Sequence, residues 1–171
     1  MAEIFPDSDY TAHNLGYEVF WLDVYRLLSH CLASERIAGV EDDPHGPRSL
    51  KKPHEKQEIS RLLVNIASYY RVKCDDGSWE HAPWLHEQYK GVGSLIEDLR
   101  NVEAIQQLDF REACNKIIHA RHVHFDGDIH AETQAEYLNP VVHLYGTKAQ
   151  NDWRATLDIV EFCKAAKNVI V

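Results

Sequence analysis

DFREACNKIIHARHVHFDGDIH, Asp109 to His130, changes its period halfway along. In its first half Phe110, Ala113, Cys114, Ile117 and Ile118 recur at steps of three and four. That spacing predicts a helix from Phe110 to about His122, with Asp109 as its cap. The next residues, HVHFDGD, alternate apolar and polar side chains, and so does VVHLYG at Val141 to Gly146. Alternation at period two predicts two short strands, one small hairpin with AETQAEYLNP inserted between them.

Toward the N-terminus the helical period dominates. Tyr17 to Ala38 reads as one long amphipathic helix, with Asn14 as a cap and Gly39 as a stop. Residues 39 to 53, GVEDDPHGPRSLKKP, hold three prolines and two glycines and read as a loop. His54 to about Val72 reads as a second helix through Ile59, Leu62, Leu63, Ile66 and Tyr70. CDDGSWEHAPW breaks it, and Ser94 to Gln107 reads as a third. After the hairpin, Asp152 caps a final helix from Trp153 to about Lys167. The expected architecture is mainly α: a bundle of four or five helices with a small β-hairpin. One domain spans residues 1–171, with an irregular arm over 1–14.

Composition narrows the function classes. The chain of 171 residues is 44% apolar and 26% charged, as ordinary globular domains are. No apolar run reaches the roughly 18 residues that cross a bilayer, and MAEIFPDSDY has no apolar core of a secretory signal. No membrane association and a cytoplasmic setting are expected. Cys31, Cys74, Cys114 and Cys163 lie far apart without a C-x-x-C pair, which argues against a zinc ribbon or redox dithiol. A formal charge of −9 disfavours a broad surface for duplex nucleic acid but leaves room for a local phosphate site. Neither a Walker loop nor a G-x-S-x-G elbow occurs, and no cofactor is expected.

The helix at 110 carries a polar row beside its apolar face. At ~100° per residue, Arg111, Asn115 and His119 share one side. An imidazole near neutral pKa suits acid–base work on a phosphate ester, and an amide suits its orientation. A guanidinium, or the ammonium of Lys116, suits the developing charge. Arg111 lies about 12 Å along the axis from His119 and leans away from it, so catalysis along this row favours a homodimer. The plain reading of the same residues is a solvated helix face.

LDFREACNKIIHA, with the later HLYG, NDW and LDIVEFCKAAK, resembles small HEPN-like proteins over about residues 108–167. That resemblance implies a helical bundle, often homodimeric, and metal-independent RNase activity in a prokaryotic toxin or defence system. An antitoxin or nucleotidyltransferase partner is also implied. Asn115 and His119 match the polar residue and the histidine of the family's R-N-x3-H motif. The motif's arginine would stand at position 114, where this chain has Cys114, and Arg111 lies one turn upstream. The resemblance therefore assigns His119 as acid/base, Asn115 as orienting group and Arg111 as the charge, on an RNA or nucleotide ligand. The alternative from another class is a non-catalytic protein-interaction module.

A subsidiary expectation is a metal held by His122, His124 and Asp126, which a strand would turn to one side. Asp23, Arg26 and His30 share a stripe on the first helix and read as a hydrogen-bonded patch between helices. Trp79, Trp84 and Tyr89 read as caps of a core or as stacking groups.

Overall fold

A computed structural model of the chain describes residues 16–40, 46–75 and 90–169. Helices α1 (Tyr17–Ala38) and α2 (Pro47–Asp75) come first and pack on each other. The hairpin β1 (Lys90–Ile96) and β2 (Ile105–Asp109) leads into α3 (Phe110–His119). Strands β3 (His122–Ile129), β4 (Glu136–Lys148) and β5 (Asn151–Asp158) follow, and α4 (Ile159–Val169) ends the described chain. The strands form one antiparallel sheet in the order β2-β1-β5-β4-β3.

This is an α+β fold, and it corrects the expected helical bundle with a small hairpin that the HEPN-like resemblance implied. Two segments read as helical are strands. Ser94 to Gln107 is the β1–β2 hairpin, in which Ser94 pairs with Gln107 and Ile96 with Ile105. Trp153 to Asp158 is β5, and the last helix starts only at Ile159, capped by the Asp158 carboxylate accepting from the Glu161 amide at 3.0 Å. The physical reason lies in the partners. In β5 Trp153, Ala155 and Leu157 are buried while Arg154, Thr156 and Asp158 are partly exposed, the period of a strand with one wet face. At Gly93 a Cβ would stand 2.0 Å from the Thr156 carbonyl oxygen, so only glycine lets β1 come alongside β5.

The loop expected over 39–53 is also shortened. Gly39 ends α1 as foreseen, but α2 begins at Pro47 and runs through Pro53. Pro47 costs nothing in a first turn, which has no use for its amide. Tertiary bonds then hold the early turns. Lys51 Nζ donates to the carbonyls of Ser34 (3.2 Å) and Glu136 (3.1 Å), and lies 3.7 Å from the Glu55 carboxylate. Burial lowers the pKa of this ammonium, and Glu55 opposes that shift. The arm at 1–14, the Asn14 cap and the aromatics Trp79, Trp84 and Tyr89 lie outside the described residues.

The core forms where the apolar face of the sheet meets the helices. Val142, Leu144, Ala155 and Leu157 from the strands join Leu27, Leu63, Phe110 and Phe162. Phe110 links Tyr70 and Phe162, with ring centroids 5.0 and 4.8 Å away. Gly146 sits flush against the Trp153 ring, 2.2 Å from where a Cβ would be. Among the described helices none is long and apolar enough to cross a membrane. All four cysteines are free thiols, and three are buried. Burial pushes Cys31 and Cys163 up to about 12 from an ordinary value of 9.0.

Gly93→Ala forces β1 away from β5 and is expected to cost about 3 kcal/mol, read as a lowered urea midpoint with an unchanged slope. The two raised thiols set an alkaline limit. Above pH 9.0 they ionise in the unfolded chain while the folded chain keeps them neutral to about 12, so stability falls across that window. Urea titrations from pH 8 to 11 check this, and Cys31→Ala is expected to flatten the decline.

Candidate functional site

Asp109 starts α3 by accepting from the Glu112 amide at 2.7 Å, as its cap spacing predicts. Phe110, Ala113, Cys114 and Ile117 are buried, while Ile118 is 37% exposed. The helix is ten residues long and stops at His119, where Ala120 turns extended. This short length decides how the polar row is shared out.

Arg111 and Asn115 line a cavity of about 350 Å3 between α3 and the last turns of α2. Tyr70, Arg71, Cys74 and Asp75 form the α2 wall. His119 does not line it. It stands exposed at the far end of α3 and makes no hydrogen bond or ion pair among the described residues. The structure thus brings together two of the three residues of the row. Neither the row nor the RNA motif points to the α2 wall. Its only trace in the sequence is Arg71 four residues before Asp75, at the end of an apolar helical run.

Charge in the cavity is ordered. Arg71 Nε lies 3.3 Å from the Asp75 carboxylate. Glu112 takes two neighbours: the Asn115 amide donates to it at 3.2 Å, and Lys116 Nζ lies 3.1 Å away. Lys116 is 3% exposed, with its ammonium 4.5 Å from the centroid of the Trp153 ring. It is thereby committed to the interior, not offered to a ligand. Arg111 has no carboxylate partner among the described residues. With both carboxylates matched by their own cations, one guanidinium charge remains uncompensated among the described residues.

The thiols and the phenol of the cavity are held protonated by burial. Burial pushes the Cys114 thiol well above its ordinary value. Burial likewise raises Cys74 and the Tyr70 phenol. Beside the paired carboxylates of Asp75 and Glu112, the wall presents the Arg111 guanidinium and the Asn115 amide, groups that bind an anion.

The other polar cluster lies on the opposite face of the sheet. The register sets Gln107, Ser94, Thr156, His143 and His124 side by side across all five strands. His143 Nε2 lies 2.9 Å from Asp126 and its Nδ1 3.0 Å from the Thr156 hydroxyl. His124 Nε2 stands 3.6 Å from Asp126, and its ring stacks on that of His143. The expected metal trio of His122, His124 and Asp126 is not assembled. Asp126 meets His124 and His143, and no contact joins it to His122 among the described residues. Among the described residues no group of three or more His, Cys, Asp or Glu is arranged to hold a metal ion. The outward direction of His143 was readable from its place between Val142 and Leu144; its partners depend on register across the sheet.

Asp23 is 7% exposed, accepts from the Asn65 amide at 3.1 Å and so ties α1 to α2, with Arg26 3.7 Å away. His30 instead lines a larger cavity, about 660 Å3, between α1 and the start of α2. Lys51, a cation in its lining, is already bonded within the fold.

Comparison with known proteins finds no family model, no curated protein and no solved structure that matches this chain.

Glu112→Ala strands the Lys116 ammonium inside the fold. The expected loss is about 2 kcal/mol, below that of a fully buried pair because the carboxylate is 33% exposed. Lys116→Met fills the same space without a charge and is expected to stay within about 1 kcal/mol of the native chain. Thermal denaturation of the two variants side by side reads the difference.

Proposed function

We propose that this protein is a binding module for a small phosphate-bearing ligand, of nucleotide size or below, taken up between α2 and α3. The observation that carries the reading is the convergence of Arg111 and Asn115 on one cavity in which, among the described residues, the Asp75 and Glu112 carboxylates are each matched by another cation. A guanidinium and an amide are suited to phosphate oxygens, in a cavity within the usual range for small-ligand sites. The neutral thiols and the distant imidazole favour holding such a ligand over cutting it. RNA cleavage would need the His119 of a second copy brought to Arg111 and Asn115.

Calorimetric titration with inorganic phosphate and with adenosine monophosphate tests the proposal. Binding is expected with both probes, and Arg111→Ala is expected to weaken it tenfold or more, about 1.4 kcal/mol. Binding that ignores this substitution, or no binding of either probe at millimolar concentration, defeats it. RNA incubated in EDTA with the native chain and with His119→Ala checks the catalytic reading. Cleavage lost only in the variant would restore it.

A further inference from the structure

Helix α1 has two apolar faces. One, with Phe20, Val24, Leu27 and Cys31, is buried in the core. The other faces solvent: Leu22 is 44% exposed, Tyr25 68% and Leu32 60%. At ~100° per residue, Glu18, Leu22, Tyr25, Ser29, Leu32 and Arg36 fall along one line at alternating steps of four and three. That is the spacing by which helices pair along a seam. Glu18 and Arg36, at its two ends, make no ion pair among the described residues.

We propose that this line is a self-association surface, on which α1 of a second copy lies antiparallel about a two-fold axis passing at the level of Leu27. The line is complementary to its own reversal. Turning one copy by 180° sets Glu18 against Arg36, Leu22 against Leu32 and Tyr25 against Ser29 of the other, and symmetry makes each pairing twice. A carboxylate meets a guanidinium, one leucine meets another, and a large ring meets the smallest side chain of the line. The Ser29 hydroxyl already donates to the Tyr25 carbonyl at 2.7 Å within its own helix, so it presents no unmet donor to the incoming ring. A parallel arrangement would put Glu18 on Glu18 and Arg36 on Arg36, which like-charge repulsion forbids at both ends. The helix has 22 residues, hence a seam of about 33 Å at most. One helix face of that length buries less than a standard interface, so the dimer is weak and concentration-dependent. This inference rests on α1 alone and is independent of the cavity between α2 and α3.

Sedimentation equilibrium of the full chain, from roughly 5 to 200 µM, tests it. The expected result is a monomer–dimer equilibrium that Tyr25→Glu shifts to monomer while circular dichroism stays unchanged. Glu18→Arg and Arg36→Glu are each expected to weaken the dimer at least tenfold. Mixing those two single variants, or combining both changes in one chain, is expected to restore it, because the end pairs are again opposite in charge. A protein that is monomeric throughout the range leaves the line to another partner or to water and overturns the proposal. So does a dimer indifferent to Tyr25→Glu, or one that the paired charge changes fail to rescue.

Discussion

Strand β5 sits at the centre of the sheet, hydrogen-bonded to β1 on one side and β4 on the other. Its inward residues, Trp153, Ala155 and Leu157, supply the floor on which the helices rest. The fit works because the neighbours yield space: Gly93 lets the β5 backbone approach, and Gly146 accepts the indole of Trp153. With that floor in place, α3 and α4 settle on the sheet, α2 packs against α3, and the cavity holding Arg111 and Asn115 opens at the α2–α3 junction. The site is a by-product of how the second helix meets the third, which in turn depends on where the strands leave room.

Much of this was readable along the chain, and the failures share one cause. The first helix, the Asp109 cap, α3 itself and the period-two runs of β3 and β4 all follow from short-range spacing. The strand β5 was also present in the letters: in DWRATLD the apolar Trp153, Ala155 and Leu157 alternate with polar residues. The helical period of the segment that follows, Ile159 onward, masked it, because both patterns share a boundary and only one contains a strong cap at 152. Likewise Ser94 to Gln107 holds apolar residues that suit either period, and pairing with β5 decides in favour of strand. Propensity over a dozen residues is weaker than a ladder of hydrogen bonds to a partner sixty residues away.

The candidate site shows the same division. That Arg111 and Asn115 share a side is a property of any helix, and it holds. That His119 does not join them reflects the other wall, since the cavity that Tyr70 to Asp75 form with α3 ends at Ile118. Lys116 was an expected source of charge, yet the fold buries its ammonium against Trp153 and Glu112. No local pattern announces such a choice; it is made by a strand that the same local pattern mistook for helix. The meeting of His143 with Asp126 and Thr156 depends on the register across three strands.

The contact between Gly146 and the indole of Trp153 has an evolutionary corollary. The two positions face each other across adjacent strands, and they share a fixed volume. A side chain at 146 is tolerable only in lineages whose residue at 153 has shrunk. Because the Lys116 ammonium rests on that same ring, shrinkage at 153 also removes the surface beneath a buried cation. Drift at these three positions is therefore coupled, and a homologue that departs from one of them is expected to depart from the other two.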